Sequence, residues 1–284
     1  MKPNKKFSRR KFLGVLGLSA VGTLGYMRWI EPRWLGVGQH SVKLANHSLA
    51  SPVKVLQLSD LHASDAVPLA FIAKAVRKGL ELEPDLVLLT GDFITERFNQ
   101  FADYAKVLSP LAERTPCFAT LGNHDGGAWA APRGGYADTA SVREMLAQSG
   151  ISLLHNQSAE LNIGQNTIHL VGLGDTWAGE FSPATAFSET GNSKRVTTLV
   201  LSHNPDTKEE LQSFDWDVMF CGHTHGGQLQ VPLVGEPFAP VRDKRYVRGL
   251  HAWSGRWIHI TKGVGNLHGM RLNCRPEISL ITLT

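Results

Sequence analysis

Two histidines, His223 and His225, stand in a stretch of small residues directly after a short apolar run. The run, residues 218–220, is typical of a buried strand, and glycines flank the histidines. On a strand or a glycine-rich turn, residues two positions apart can direct both imidazoles into one pocket. Neutral imidazole is the commonest metal ligand among side chains. Two solvated loop histidines would give the same pattern. Other segments of the chain are needed to distinguish a metal site from solvated histidines.

Four other apolar runs of the chain also end in Asp, His or Asn. Each is short and rich in aliphatic and β-branched residues, as expected of a buried strand. Ligands of open α/β sheets bind at the carboxyl ends of the strands, so all five segments would bring polar residues to one sheet edge. One such placement arises easily by chance, whereas five do not. The residues that follow these four runs are Asp60 and His62, then Asp92, then Asn123, His124 and Asp125, and finally His203.

Hydrophobic periodicity predicts the elements that must carry these residues. Predicted strands alternate with predicted helices in the first half, and strands predominate after residue 150. This order suits two packed sheets with helices outside. The predicted strands are 41–45, 53–58, 85–90, 117–121, 151–154, 160–163, 167–173, 196–201, 217–220, 256–261 and 278–283; the predicted helices are 68–80, 101–114, 139–149 and 207–213, with a helix or surface loop at 181–194.

Irregular segments are predicted where glycine and proline cluster. The segment 126–138 contains Trp129 and Tyr136, and we expect a mobile loop beside the site. A long irregular loop is predicted at 231–250. Loops of this kind often carry specificity, so Trp129, Tyr136 and Trp177 are candidates for packing against an apolar part of a substrate.

The composition is that of one sizeable globular domain. The 284 residues are 42% hydrophobic, which suffices for a substantial core. Six basic residues and no acidic one stand among the first eleven residues, whereas the net charge of the whole chain is only +4. No nucleic-acid partner is therefore expected. Two of the three cysteines, Cys117 and Cys221, lie in predicted strands, so we expect buried free thiols rather than a disulfide.

The N-terminal segment has the pattern of an export signal. A basic head precedes the apolar residues 12–27, whose helix would span about 24 Å, less than a hydrocarbon core of about 30 Å. The sequence Ser-Arg-Arg-Lys-Phe-Leu at 8–13 resembles the twin-arginine export motif. An uncleaved anchor is the alternative, since Trp29 and Trp34 follow the apolar run and Trp favours membrane interfaces. Residues 1–40 are therefore assigned to a signal or anchor and linker, and 41–284 to the folded domain.

Taken in order, the polar residues at the predicted strand ends resemble the signature of the calcineurin-like metallophosphoesterases. Within this family, the segments 222–229, 231–241 and 272–277 and the twin-arginine start are similar to the bacterial YaeI-type phosphodiesterases. The resemblance implies an α/β fold, a four-layer αββα sandwich of two mixed sheets with helices outside, and a two-metal site at the strand ends. The matching segments are Asp60-x-His62, Gly91-Asp92, Gly122-Asn123-His124-Asp125, His203 and Gly222-His223-x-His225.

The resemblance also implies how two metal ions are bound. Asp92 would bridge them, because a carboxylate offers two anionic oxygens. Mixed nitrogen and oxygen ligands suit Mn, Fe or Zn better than Ca or Mg. Two ions about 3.5–4 Å apart can hold the attacking and leaving oxygens of phosphoryl transfer, with a bridging hydroxide as nucleophile. The other implied ligands are Asp60, His62 and His225 for one ion, and Asn123, His203 and His223 for the second.

The two residues after Asn123 are implied to take part in catalysis. His124 could reach the leaving oxygen or a phosphate oxygen, and Asp125 could orient the imidazole of His124. Histidines outside the motifs are interpreted as ordinary surface or core residues, although His268 in the glycine-rich loop 263–270 could line the pocket.

The sequence therefore predicts an exported two-metal phosphodiesterase in the periplasm or cell envelope, with membrane association through the N-terminal segment left open. Its substrate would be a small-molecule or lipid-like phosphodiester, because no Lys or Arg stands beside the motif residues to meet a monoester dianion. Arg133 and the basic residues of 242–248 could hold a more distant anionic group.

Two alternatives remain open on sequence alone. One is a pyrophosphatase that acts on a lipid-linked nucleotide sugar and keeps the N-terminal segment as an anchor; its substrate is expected inside the cell, which export argues against. The other is a non-enzymatic, metal-dependent binding protein. A binding protein would have no need of His124 as a leaving-group acid.

Overall fold

Two six-stranded sheets form the centre of the computed structural model, which describes residues 9–45, 49–188 and 196–284. The first sheet contains β1 (Gly36–Val42), β2 (Val53–Leu58), β3 (Leu86–Thr90), β4 (Cys117–Thr120), β5 (Ser152–Leu153) and β12 (Glu277–Leu283). Their spatial order is β1-β12-β2-β3-β4-β5. Strands β2 to β5 are parallel and β12 is antiparallel to β2, so the sheet is mixed.

The second sheet is also mixed and has a parallel centre. It contains β6 (Gln157–Ile163), β7 (Asn166–Gly172), β8 (Thr197–Leu201), β9 (Val218–Cys221), β10 (Gly249–Trp253) and β11 (Arg256–Ile260). Their spatial order is β10-β11-β9-β8-β7-β6, and the edge strands β10 and β6 are antiparallel to their neighbours. Because β2, β3, β4, β8 and β9 carry the motif residues at their carboxyl ends, the two sheets together position the site.

Five helices are described: α1 (Arg9–Gly25), α2 (Leu69–Leu80), α3 (Phe101–Arg114), α4 (Ala140–Gln148) and α5 (Pro183–Phe187). The apolar faces of α2, α3 and α4 pack on the outer face of the first sheet. Side chains alternate along β2: Val55 points between the sheets, whereas Leu56 and Leu58 face the helices. Strands buried on both faces explain why these runs are apolar without interruption.

The outer face of the second sheet has a thinner cover. There Ala186 of α5 packs with Leu211, Trp216 and Tyr246 from turns and loops against the strands. Helices, two sheets and this outer cover make four layers, which confirms the predicted αββα sandwich. The described cysteines Cys117, Cys221 and Cys274 are all buried and free, as the composition predicts.

Some predicted elements differ from the structure. The predicted helix 207–213 is wrong: a 3-10 turn covers Pro205–Lys208 and further turns follow. Seven residues are too few to stabilise a helix without support. The predicted loop 231–250 runs two residues into β10, which forms a hairpin with β11 through Ser254 and Gly255, both in the left-handed region. Residues 189–194 of the segment 181–194 lie outside the described residues.

The folded domain begins earlier than residue 41. The edge strand predicted at 41–45 is β1, Gly36–Val42, which pairs with β12 along its whole length. Glu31 is completely buried, and its carboxylate accepts hydrogen bonds from the backbone N–H groups of Asn273 and Cys274. The segment between α1 and β1 is therefore packed into the fold.

Helix α1 covers most of the apolar N-terminal run. Within the described part of the chain, no helix combines the length and apolarity needed to span a bilayer. Residues 1–8, which include Ser8 of the twin-arginine motif and the first basic residues, lie outside the described residues.

Candidate metal centre

The motif residues meet in one buried site at the carboxyl ends of five strands. Asp60 and His62 follow β2, Asp92 follows β3, Asn123 follows β4, His203 follows β8, and His223 and His225 follow β9. Each of these seven residues is at most 5% exposed. The structure therefore brings together every residue that the sequence predicts as a metal ligand.

One group of possible ligands consists of Asp60, His62 and His225, whose ligand atoms all lie within 4.8 Å of one another. The Nε2 atoms of His62 and His225 are 3.0 Å apart, and His225 Nε2 is 3.5 Å from Asp60 Oδ1. Nitrogen atoms and a carboxylate oxygen thus converge on one point, as the ligands of a divalent cation do.

A second group consists of Asp60, Asp92 and His203. His203 Nε2 lies 3.1 Å from Asp92 Oδ2 and 3.3 Å from His223 Nδ1. The same Asp92 Oδ2 is 3.4 Å from His62 Nε2 of the first group, so Asp92 lies between the two groups. Asp60 is a member of both groups. The bridging role of Asp92 stays a prediction.

Hydrogen bonds to the opposite ring nitrogens orient two of these imidazoles. The Thr90 carbonyl lies 2.7 Å from His203 Nδ1, and Thr95 Oγ1 lies 3.3 Å from His62 Nδ1. Such bonds fix the tautomer and direct Nε2 toward the site. Asn123 Oδ1 is buried and has no hydrogen-bond partner among the described residues. A buried amide oxygen without a donor fits a metal ligand, so the set as a whole fits two divalent cations.

The backbone is strained where the site residues stand. Asp60, His62, Asp92, His223 and His225 all have φ between 48° and 69°, the left-handed region that residues with a side chain rarely adopt. Strain of this kind clusters at functional sites, where the surrounding structure compensates for it. Two glycines permit the close approach, since a Cβ at Gly122 would collide with the Asp92 carboxylate and one at Gly222 with Ser59 and Asp60.

Asp92 and His203 form the electrostatic centre of the site. Burial opposes ionisation of Asp92, but the neighbouring His203 and His124 hold its pKa well below the ordinary value. Burial likewise opposes protonation of His203, yet the carboxylates of Asp92 and Asp60 raise its pKa well above the ordinary value. Burial and the charge of His203 lower the pKa of His223 to about 3, so its imidazole is neutral and can bind a cation.

The sequence matches the family of calcineurin-like phosphoesterases over residues 53–227. The chain belongs to this family. The matched residues extend from β2 to just beyond His225, and so include every predicted ligand and both sheets' central strands.

Relatives of this phosphoesterase include two bacterial enzymes. It is 44% identical to phosphodiesterase YaeI of Escherichia coli (strain K12), over 97% of this chain and 99% of that protein. It is 31% identical to UDP-2,3-diacylglucosamine pyrophosphatase LpxG of Chlamydia trachomatis, over 81% of this chain and 83% of that protein. The structure of Haemophilus influenzae NAD nucleotidase (NadN) matches with a TM-score of 0.50 at 17% identity, over 76% of this chain and 51% of that one, which concerns the fold alone.

His124 of the phosphoesterase stands beside the predicted ligands. Its Nδ1 lies 2.8 Å from the Thr95 carbonyl, and its backbone N–H donates to Asp92 Oδ1 over 2.9 Å. The Nδ1 bond leaves Nε2 as the atom that can exchange a proton with a substrate. Burial lowers the pKa of His124 despite the nearby Asp92 carboxylate.

Asp125 has a different role from the predicted one. Its carboxylate accepts the backbone N–H groups of Gly122, Asp92 and Phe93 over 2.6–2.9 Å, whereas the His124 imidazole is oriented by Thr95. Asp125 therefore ties the loop after β3 to the loop after β4. Burial and Asp92 raise its pKa to about 7.

A cavity of about 560 Å³ opens beside the predicted metal ligands of the phosphoesterase, and Asp92, Asn123, His223 and His225 are part of its lining. The Trp177 ring lies 4.3 Å from His223 and 5.9 Å from the Trp129 ring, which in turn lies 4.6 Å from His124. The two tryptophans thus form one wall beside the reacting groups. Leu229, Phe238, Pro240, Leu267 and His268 line the cavity further out.

Other predicted specificity residues lie elsewhere. The Tyr136 hydroxyl bonds the backbone of Phe98, so Tyr136 supports the loop from behind and is not among the residues that line the cavity. Arg133 stacks on Trp129 with its Cζ 4.3 Å from the ring centre. Arg245 pairs with Asp243 and Arg248 with Glu236. Among these cations, only Arg133 contacts a residue of the cavity wall.

Three functional residues are missed by sequence reasoning. Thr95 orients His62 and His124, Asp175 accepts the backbone N–H groups of Trp177 and Ala178, and Gln228 bonds the Asn266 side chain and the backbone of Leu267. Asp175 had a detectable signal, since it follows β7 as Asp92 follows β3. The other two depend on contacts between distant loops.

Proposed function

We propose that this phosphoesterase hydrolyses phosphodiesters with two divalent metal ions held at the carboxyl ends of the strands of its two sheets. The observation that carries the proposal is the position of Asp92 Oδ2, which lies 3.4 Å from His62 Nε2 and 3.1 Å from His203 Nε2. His62 belongs to the first group of possible ligands and His203 to the second. The 44% identity to a protein named phosphodiesterase, over nearly the whole chain, supports the same activity. Mn, Fe or Zn are the ions that the mixed ligands favour over Mg.

The ions would supply Lewis-acid polarisation of the phosphate and a water of lowered pKa. The protein holds the ligands rigidly, since Thr90 and Thr95 orient two imidazoles and Asp125 ties together the loops of Asp92 and Asn123. We assign delivery of the proton to the leaving oxygen to His124 through Nε2. Trp129 and Trp177 line the cavity beside His124 and His223, where the leaving group of a bound diester would lie.

A monoanionic diester suits the cavity better than a dianion does. Among the described residues that line the cavity, none is Lys or Arg. A monoester dianion or a diphosphate carries charge that such residues would normally meet. The apolar wall instead suits a diester whose leaving alcohol is aromatic or aliphatic.

Substrate preference tests this proposal directly. We expect kcat/KM for bis-p-nitrophenyl phosphate to exceed that for p-nitrophenyl phosphate by about tenfold or more, a difference of about 1.4 kcal/mol in transition-state stabilisation. Both substrates release the same phenolate, so one assay at one pH with one metal compares them. Faster turnover of the monoester would overturn the diesterase assignment while leaving the two-metal chemistry intact.

A pyrophosphatase is the second candidate, because the chain is 31% identical to an enzyme named for cleaving a UDP-linked pyrophosphate. Incubation of the metal-loaded protein with UDP-glucose or another nucleotide sugar, with the released UMP detected by chromatography, separates the two activities. A metal-loaded protein inactive on diesters, monoesters and pyrophosphates alike would favour a binding protein.

Export through the twin-arginine route is part of the proposal, and Arg9 with Arg10 is its basis. Replacing both by Lys keeps the charge but removes the guanidinium pair, so a reporter fused to the chain should stay in the cytoplasm. Replacing Lys5 and Lys6 by Arg is the matched control and should leave export unchanged. Normal export of the double Lys variant would contradict the assignment to the twin-arginine route, whereas a native fusion that stays in the cytoplasm would contradict the assignment to the periplasm or cell envelope.

A further inference from the structure

The loop 231–240 presents apolar side chains to solvent at the mouth of the cavity. Leu233 is fully exposed, Val234 is 66% exposed and Phe238 is 71% exposed. Phe238 also lines the cavity, so this exposed group continues into the site. Contiguous exposed apolar side chains of this size mark an interaction surface.

The segment after α1 presents a second exposed apolar group. Trp29, Ile30 and Trp34 are each more than half exposed, and so are Leu13, Leu18, Val21 and Leu24 along α1. Arg28 and Arg33 alternate with the tryptophans. Trp beside basic residues is the composition of a segment that lies at a membrane–water interface.

Hydrogen bonds place these two groups side by side. The Met27 carbonyl accepts the Arg271 backbone N–H, and Arg28 Nη1 donates to the Gly269 carbonyl, both over 3.0 Å. The loop that contains Gly269 also contributes Leu267 and His268 to the cavity. The segment directly after α1 is thus bonded to residues one and three positions along the chain from His268 of the cavity wall.

Asn273 joins the same segment to the loop 231–240. Its backbone N–H donates to Glu31 Oε2 over 2.9 Å, and its side-chain amide donates to the Gln230 carbonyl over 3.1 Å. Gln230 directly precedes the turn with Leu233 at its tip. The exposed loop and the exposed N-terminal segment therefore flank one mouth and can contact one surface.

The charge around this mouth is strongly positive. The three segments 27–34, 228–248 and 262–276 contain nine basic and three acidic residues, a net charge of +6, whereas the whole chain has +4. The rest of the chain is therefore slightly acidic. Arg245 and Arg248 pair with two of the three acids, Lys262 pairs with Glu277 just outside these segments, and Glu31 and Arg271 are both buried. The excess positive charge at the surface therefore comes from Arg28, Arg33, Arg242, Lys244 and Arg275. An apolar face surrounded by excess cations is complementary to an anionic bilayer.

We propose that the loop 231–240 and the segment 26–34 form one face that lies on an anionic lipid bilayer. Leu233, Val234 and Trp29 enter the interface, and the mouth of the cavity opens at the lipid surface. The proposal rests on the phosphodiesterase function and names its substrate class: a lipid phosphodiester that enters the cavity past Phe238 with its apolar part against Trp129 and Trp177.

A polarity-sensitive fluorophore on Leu233→Cys tests contact of the loop with the bilayer. All three native cysteines are buried, so the new thiol can be labelled selectively in the full-length protein. Vesicles of phosphatidylglycerol and phosphatidylcholine should shift the emission to the blue, and pure phosphatidylcholine should bind about tenfold more weakly. Glu113→Cys, exposed at the far end of α3, is the matched control and should show no shift.

A loss of apolar character in the loop should affect only substrates held in a membrane. In the Leu233→Asp, Val234→Asp double variant, we expect unchanged turnover of soluble bis-p-nitrophenyl phosphate. Turnover of a long-chain alkyl p-nitrophenyl phosphate embedded in the same vesicles should fall about tenfold or more, because charged side chains are expelled from the interface.

Failure of the phosphodiesterase function and failure of the proposed membrane face would give different results. Absence of turnover on the soluble diester would contradict the phosphodiesterase function, whatever the fluorophore reports. An unshifted emission at position 233 while the protein sediments with vesicles would overturn the proposed face, because α1 alone would then account for binding. Equal turnover of the vesicle-embedded diester by both proteins would overturn it as well.

Discussion

Asp92→Asn should abolish phosphodiester hydrolysis and lower the bound metal from two ions per chain to one or none. An amide has one neutral oxygen in place of two anionic ones. Asn at position 92 therefore cannot bridge an ion bound beside His62 and an ion bound beside His203. We expect turnover to fall by about 10³ or more, since metal-ion catalysis supplies several kcal/mol of transition-state stabilisation. Metal content by mass spectrometry and turnover of bis-p-nitrophenyl phosphate measure the two effects.

Asp65→Asn is the matched control for this variant. Asp65 is an exposed residue in the turn after β2, so the same chemical change there should leave metal content and turnover unaltered. Because Asp92 Oδ1 also accepts the His124 backbone N–H, thermal unfolding of both variants must be compared to exclude a folding defect. Two bound ions and near-normal turnover in folded Asp92→Asn would rule out Asp92 as the bridging ligand.

The position of the predicted ligands at the strand ends could be inferred from periodicity, because the central strands are buried on both faces. Along β3, every residue from Leu86 to Thr90 is buried, so an apolar run must end where the chain reaches the polar site at Asp92. The same reasoning applies to β8 and His203. Parallel neighbours then bring such strand ends to one edge, which is a property of the topology and independent of loop detail.

The connections between these ligands were not predictable from the sequence. Asp60 is a member of both groups. Its carboxylate accepts the His223 backbone N–H, and its backbone has φ of 50°. Both features depend on how the loops after β2 and β9 meet. The contacts of Asp125 could not be predicted from the sequence either. Its neighbour along the chain is His124, yet its carboxylate accepts hydrogen bonds from the loop after β3.

The N-terminal boundary shows that composition and packing can disagree. The apolar run and its tryptophans indicate a separate signal or anchor, but Glu31 is completely buried against Asn273 and Cys274. A carboxylate among hydrophobic residues carries no periodicity signal, and its partners are more than 240 positions away along the chain. Segment 26–34 therefore supports the loop that carries Arg271, whose guanidinium bonds the carbonyls of Lys262 and Gly265.

His124→Ala should retain both metal ions and lose about 10²–10⁴ in turnover, the contribution typical of a general acid. The His124 side chain bonds the Thr95 carbonyl rather than the predicted ligands, so its removal leaves the ligand set in place. His169→Ala is the matched control: His169 Nε2 pairs with Glu160 on the edge of the second sheet, and its loss should not affect turnover.

The leaving group decides whether His124 acts by proton transfer. Burial lowers its pKa, but the negative phosphate of a bound diester favours the protonated imidazole, and the Thr95 carbonyl stabilises the same form through Nδ1. An alkyl alcohol leaves poorly without a proton, whereas p-nitrophenolate leaves readily without one. The loss in His124→Ala should therefore be large for an alkyl diester and shrink for a p-nitrophenyl diester, and His124→Asn, which can donate a hydrogen bond but transfers no proton, should follow the same trend. An equal loss for every leaving group would instead mean that His124 binds a phosphate oxygen, and the leaving oxygen would then have to take its proton from water.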